Sequence, residues 1–318
     1  MDRNLLQSVT VFSPATIANV GCGFDVFAFA IDQPGDEVSL SITSKPGVEI
    51  NEIKGSSELP YDIKKNTVGV SVSAMLGYLN LDIGISISLH KKMPIRSGLG
   101  SSAASAVGGV VALNYLLQKN LSNELLLEFA TEGEKISSGD NVHLDNTAAC
   151  LYGGFVLVRS KSPVDIISIP VPDNLHCVIL HPKIEINTLE SRKLLPEMVS
   201  LSDATKQWGN TAAVISALYE SNFDLLQKSI SDPIIEPERS KNIPYFNEVK
   251  DVAINAGAIG YGISGSGPSI FALSESKEIA NHVSGEVSRY YQSTQVPFEI
   301  YVSKINKSGP RIIQSDTK

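Results

Sequence analysis

Between residues 83 and 89 the chain reads IGISISL, a strict alternation of apolar and polar positions that predicts a strand with one buried face. Shorter β-branched runs at Val9–Phe12 and Val38–Ile42 predict two further strands, and Thr67–Leu79 predicts a helix. The strand at 83–89 leads into a loop, Met93–Gly100, with an alanine-rich helix expected behind it over Ser101–Gln118. A second helix is expected over Ser122–Ile136. Ser122 is a suitable N-cap, Glu124 favours the positive end of the helix dipole, and Leu125, Leu126, Phe129, Ala130 and Ile136 make an apolar stripe. Gly153–Arg159 predicts another strand.

Ser160–Asn174 carries three prolines, Pro163, Pro170 and Pro172, the composition of a domain boundary. Beyond it, Cys177–Leu180, Ser269–Leu273 and Phe298–Val302 read as strands, and Thr205–Leu218, Phe223–Ile230 and Tyr245–Asn255 as helices. Alternating elements in both halves imply an α+β or α/β protein of two domains, divided as residues 1–168 and 169–318.

Composition narrows the partners. With 318 residues the chain can bury roughly three quarters of its unfolded surface. Its net charge of -8 argues against a nucleic acid or an anionic membrane surface as partner. An anion would have to be held locally, by backbone N–H groups or a few placed arginines. Cys22, Cys150 and Cys177 are odd in number and fit no metal spacing, so they read as reduced thiols of a cytoplasmic protein. The N-terminus lacks the basic-then-apolar pattern of a signal peptide. The most apolar run, Ala103–Leu117, is interrupted by Ser105 and Asn114 and falls short of the ~20 residues that span a bilayer.

Three stretches are rich in small residues: SPATIANVGCGFD at Ser13–Asp25, PIRSGLGSSAAS at Pro94–Ser105, and GAIGYGISGSGPS at Gly257–Ser269. The middle one has the clearest chemistry. Gly98 and Gly100 allow backbone N–H groups to converge on an anion, Ser101 and Ser102 add hydroxyls, and the following helix directs its free N–H groups to the same point. A phosphate can be held this way although the chain has no G-x-x-x-x-G-K-[ST] motif. A plain strand-to-helix packing turn explains the same glycines about as well.

A nucleotide-bound Mg2+ would call for a carboxylate. The helix at 122–136 offers Glu124, Glu128, Glu132 and Glu134, and periodicity does not choose among them; all four also fit a solvated face. Asn19 and Asp25 flank a glycine turn. Arg192 and Arg239 matter if the substrate bears a carboxylate, which arginine grips in a bidentate fork. His143 stands among Asp140, Asp145 and Asn146 in an expected loop, where a lone histidine is more often structural.

PIRSGLGSSAAS resembles the P-x-x-x-G-L-G-S-S-A loop of the GHMP kinases, and the two other glycine-rich stretches resemble that superfamily's remaining motifs. Within it, PATIANVGCGFD (Pro14–Asp25), EKISSG with HLDN (Glu134–Gly139, His143–Asn146), INTLESRKLLP (Ile186–Pro196) and IIEPERSKNIP (Ile234–Pro244) resemble the homoserine kinase family. The resemblance implies a ribosomal protein S5 domain 2-like N-terminal domain and a ferredoxin-like C-terminal domain. It implies transfer of phosphate from ATP, with Mg2+, to L-homoserine in threonine biosynthesis. The triphosphate would lie on Pro94, Ile95, Arg96, Ser97, Gly98, Leu99, Gly100, Ser101, Ser102, Ala103 and Ala104. Ser102, with Ser101 as the alternative, and Glu134 would hold the metal. Asn19, Asp25, His143, Asn146, Thr188, Arg192 and Arg239 would surround homoserine, with Asn146 where other members have an aspartate base. A homodimer is compatible with the resemblance. Cys22 stands where the family commonly has proline, and SGDNVHLDN carries one extra residue before the histidine. The rival readings are a related kinase acting on mevalonate or a sugar, and a catalytically silent sensor of the same fold.

Overall fold

The computed structural model describes residues 6–139, 144–186 and 188–317. The first half runs β1 (Leu6–Ala18), β2 (Phe27–Thr43), β3 (Gly47–Lys54), α1 (Thr67–Tyr78), β4 (Gly84–His90), α2 (Ser101–Leu116), α3 (Asn123–Ser138), α4 (Leu144–Tyr152), β5 (Phe155–Lys161) and β6 (Val164–Ile169). The second half runs β7 (His176–Pro182), α5 (Thr188–Lys193), α6 (Leu201–Glu220), α7 (Phe223–Ser229), α8 (Glu236–Arg239), α9 (Phe246–Asn255), β8 (Gly260–Ile263), β9 (Ile270–Ser274), α10 (Lys277–Gln292), β10 (Phe298–Lys304) and β11 (Arg311–Thr317).

Among the described residues these strands make two sheets. The larger has the order β11-β1-β2-β4-β3, with the β5–β6 hairpin paired to the start of β2. Its neighbours are antiparallel except β3 and β4, which are joined through α1 and lie parallel. The smaller sheet is antiparallel with the order β10-β7-β9-β8, the strand order of a ferredoxin-like unit.

The smaller sheet is apolar on both faces, and the period of two explains why. Cys177, Ile179, Phe271 and Leu273 point into the larger core beneath the first sheet, whereas Val178, Leu180, Ile270 and Ala272 point into a second core under α9 and α10. Ile31 of β2 bridges Ile305, and Phe271 meets Phe29 edge-on with centroids 6.3 Å apart. The two sheets therefore share an apolar junction.

Several boundaries differ from the pattern reading. The first of the three prolines, Pro163, lies in the turn between β5 and β6, so the region is part hairpin; residues 170–175 make the actual link between the sheets. We propose the division at 168/169 as marking that first crossing, while β11 returns to pair with β1 in the larger sheet. Helix α10 has no counterpart in the reading above, although Ser276 caps it and Ala280, Val283, Val287 and Tyr291 recur at helical spacing. Ile136, assigned to the apolar stripe of α3, is 46% exposed and lies at the rim of a cavity. Cys22, Cys150 and Cys177 are buried and free. Among the described residues no helix is long and apolar enough to cross a membrane.

Candidate active site

A cavity of about 620 Å³ opens between the two sheets. It is lined by the loop from β4 to α2, by Asn19, Asp25 and Arg239, and by Glu134 and Asn146.

The loop is held from behind. Thr16 N–H donates to Leu99 O (3.1 Å), Ser264 Oγ to Gly98 O (2.7 Å) and Ser269 N–H to Ser97 O (3.1 Å). With three successive carbonyls occupied, trans peptide geometry turns the opposite, N–H side of each plane away from those contacts. Gly100 is the N-cap of α2 at φ +67°, and no side chain caps the helix. A helix end of this kind is an anion site. A Cβ at Gly100 would lie 2.1 Å from Thr16 Oγ1, and one at Gly98 (φ +81°) 2.3 Å from Ser264 O. Gly98→Val and Gly100→Val should therefore raise the dissociation constant for ATP at least ten-fold in protein that still melts cooperatively. Calorimetric titration checks this, and unchanged affinity would reduce the loop to a packing turn.

Not all of the expected loop residues face the cavity. Ile95, Arg96, Ser97, Gly98, Gly100, Ser101 and Ser102 line it, whereas Leu99, Ala103 and Ala104 are fully buried behind it and Pro94 accepts the Ser97 hydroxyl at 2.7 Å. Arg96 reaches across to Glu58 at 3.4 Å.

Beneath the loop lies a charge the motif reading does not include. Lys91 is buried, forms an ion pair with buried Asp36, and donates to Ser101 O and Ser105 Oγ, each at 2.8 Å. Asp36 also accepts the N–H groups of Lys92 (2.7 Å) and Met93 (3.2 Å). The signal was present in the alternation: Lys91 continues the phase of Ile85, Ile87 and Leu89, all buried. Lys91→Met strands the Asp36 carboxylate in the interior and should cost about 3–5 kcal/mol of stability. Denaturant titration reads the loss; a change under 1 kcal/mol would mean water replaces the lysine.

The structure also separates the serines and the glutamates. Ser102 Oγ donates to Glu134 Oε2 at 3.1 Å, while Ser101 Oγ turns to Asp36 at 3.5 Å. Glu134 is 1% exposed, whereas Glu124, Glu128 and Glu132 face solvent. Burial pushes the Glu134 carboxyl up to about 7, with nearby Asp145 adding to it and the Ser102 and Ser137 hydroxyls and Lys91 opposing it. A buried carboxylate raised in this way beside a hydroxyl is a hard-oxygen donor set that a bound Mg2+ would fit, because the cation favours the ionised form.

Asn146 is fixed on two sides. Thr16 Oγ1 donates to its Oδ1 at 2.7 Å, and its own N–H donates to Asp145 Oδ1 at 2.9 Å. In the wall formed by the 19–25 segment, Asn19 Nδ2 donates to Gly265 O (2.9 Å) and its Oδ1 accepts Asp25 N–H (2.8 Å). Asp25 Oδ2 accepts Arg192 Nη2 at 2.7 Å, with Lys161 Nζ at 3.5 Å. Arg239 is 6% exposed and donates to Gly265 O at 2.8 Å. Its acidity is increased by burial, with Asp25 opposing that trend and Arg192 adding to it. Arg239 lines the cavity; Arg192 reaches the site through Asp25. Helix α6 braces this wall, since Gln207 Nε2 donates both to Cys22 O (2.9 Å) and to Asp232 Oδ1 (3.2 Å), and Asp232 accepts the N–H groups that open α8. Thr188 opens α5, but its side chain and all of His143 lie outside the described residues.

An uncapped helix N-terminus and a charged cluster lining one cleft, in a two-domain fold of this topology, define a small-molecule kinase of the GHMP type. Residues 66–154 match the GHMP kinases N terminal domain and residues 214–293 the GHMP kinases C terminal domain. A homoserine kinase of Chlorobium phaeobacteroides (strain BS1) is 44% identical over 97% of this chain and 100% of its own, and one of Chlorobaculum tepidum is 41% identical over 98% and 99%. The crystal structure of homoserine kinase from Cytophaga hutchinsonii superposes with a TM-score of 0.95 at 47% identity, covering 98% of this chain and 99% of that one. The chain belongs to the homoserine kinase family of the GHMP kinases. The mevalonate kinase of L. major, at 18% identity and TM-score 0.74 over 96% of this chain and 99% of its own, shares the fold alone.

Proposed function

We propose that the protein transfers the γ-phosphoryl group of ATP to the side-chain hydroxyl of L-homoserine, giving O-phospho-L-homoserine for threonine biosynthesis. The observation that carries this reading is the pairing, across one cavity, of the Ser102–Glu134 oxygen pair at an uncapped helix N-terminus with the Asp25–Arg192–Arg239 cluster. The first suits a triphosphate and its Mg2+; the second suits a zwitterion. Asp25 would meet the α-ammonium group and Arg239, with Arg192, the α-carboxylate. Mevalonate has a carboxylate but no ammonium group, and a neutral sugar has neither, so the anionic Asp25 favours an amino acid.

Mg2+ bound with the nucleotide would neutralise phosphate charge, held by Glu134 and Ser102. The remaining roles belong to the chain. The loop's N–H groups orient the γ-phosphate, and Asn146 orients the acceptor hydroxyl. An amide cannot take up a proton at neutral pH, so Asn146 positions rather than deprotonates. The hydroxyl proton then leaves late, toward the transferred phosphoryl oxygens, consistent with a reaction that relies on positioning and charge stabilisation.

A coupled ADP-release assay with homoserine, mevalonate and galactose side by side tests this reading. Turnover is expected with homoserine and not with the others. Turnover only with mevalonate or galactose, or ADP release independent of any acceptor, would overturn it.

A further inference from the structure

We infer that Phe24 is a positioning residue for the substrate carboxylate, its ring setting the places of the Arg192 and Arg239 guanidinium groups; the inference rests on the amino-acid substrate proposed above. The guanidinium carbons of Arg192 and Arg239 lie 5.8 and 5.0 Å from the centroid of this one ring. Both distances fall within cation–π range, where the negative face of the ring attracts the charge.

Phe24 has no evident apolar task. It is half-buried, belongs to neither hydrophobic core, and stacks on no other ring among the described residues. Its backbone is nevertheless held firmly. Gly23 N–H donates to Val20 O (3.0 Å), Phe27 N–H to Gly23 O (2.8 Å) and Asp25 N–H to Asn19 Oδ1 (2.8 Å). A large apolar ring on a rigid turn, placed against two cations, is better explained by the cations than by packing.

The arginines need such a partner. They come from separate segments, α5 and the end of α8, and carry like charge, so each disfavours the other at close range. Arg192 is anchored to Asp25 and Arg239 to Gly265 O, and Arg239 Nε is buried with no hydrogen-bond partner among the described residues. The ring supplies attraction to both without using the N–H groups that a carboxylate would take. Arg192 is already paired with Asp25, and the ring adds attraction without a second carboxylate that would compete with the substrate.

The test compares wild type with Phe24→Leu, Phe24→Met and Phe24→Tyr. Measured are KM and kcat for homoserine, KM for ATP, and the inhibition constant of 3-amino-1-propanol, which is homoserine without its carboxylate. From about 0.5–2 kcal/mol for cation–π contacts, KM for homoserine should rise roughly 2- to 30-fold in Phe24→Leu and Phe24→Met. Phe24→Tyr should stay close to wild type. The inhibition constant of 3-amino-1-propanol, kcat and KM for ATP should hold within about two-fold. Unchanged KM in the folded Leu and Met variants overturns the inference. So does an equal loss for homoserine and 3-amino-1-propanol, or an equal loss in the Leu, Met and Tyr variants. Should Phe24→Leu fail to fold, Phe24→Met carries the comparison, and if neither aliphatic variant folds the ring is structural and the inference falls. A wild-type enzyme that binds 3-amino-1-propanol as tightly as homoserine would instead remove the carboxylate site itself, which separates failure of the functional reading from failure of the Phe24 role.

Discussion

Arg239→Ala should lower kcat/KM for homoserine by roughly thirty-fold to several thousand-fold while leaving KM for ATP nearly unchanged. The size follows from removing one charged partner of a desolvated carboxylate, typically about 2–5 kcal/mol, at 1.4 kcal/mol per decade. The separation of effects follows from placement: Arg239 lines the cavity within electrostatic reach of Asp25 and Arg192, whereas Ser102 and Glu134 meet at the helix N-terminus. Arg239 is buried, so its loss also leaves a cavity, while Gly265 O keeps the Asn19 Nδ2 donor. Thermal melting of the variant must therefore accompany the kinetics. Arg192→Ala should cost less, because Arg192 is partly exposed and Lys161 remains beside Asp25. Wild-type kinetics with homoserine in both variants would mean that no carboxylate is gripped there.

Glu134→Gln should reduce kcat on the order of a hundred-fold or more, whereas Glu128→Gln and Glu132→Gln should be near neutral. Gln keeps the shape and can still accept the Ser102 hydroxyl, so the loss reports charge rather than packing. Stability of the metal-free protein should move the other way. The folded carboxyl titrates near 7, above its ordinary 4.5, so between these values the folded state holds the proton that the unfolded state has released. Stability then falls as pH rises through this window. A glutamine has no proton to lose, so Glu134→Gln should be the more stable protein at pH 8, by up to about 3 kcal/mol, with the difference vanishing toward pH 4. Melting curves at the two pH values in EDTA measure it. A variant no more stable at pH 8 than at pH 4, relative to wild type, would show that the buried carboxylate is compensated by its neighbours. Loss of activity with gain of stability would mark a side chain kept for function.

The pattern of the chain already determined much of this protein, wherever the cause is local. The strand at 84–90, the glycine turn, α2 and the Ser122-capped α3 all rest on alternation, capping and helical period, which neighbouring residues carry between them. Gly98, Gly100, Asn19 and Asp25 were legible for the same reason, since positive φ and turn chemistry leave a mark in residue type. Arg192 and Arg239 were legible as candidates through motif resemblance, with no structural signal of their own. Tertiary structure alone decided what depends on contacts between distant segments. On α3 the four glutamates are equivalent along one dimension, and Glu134 stands out because Ser102, 32 residues away, meets it in the interior. The pairing of Lys91 with Asp36, the return of β11 to β1 and the approach of two arginines to Phe24 likewise join segments far apart in the chain. Such contacts follow from how the two sheets pack across their shared apolar junction, and packing at that range imposes no period on the sequence.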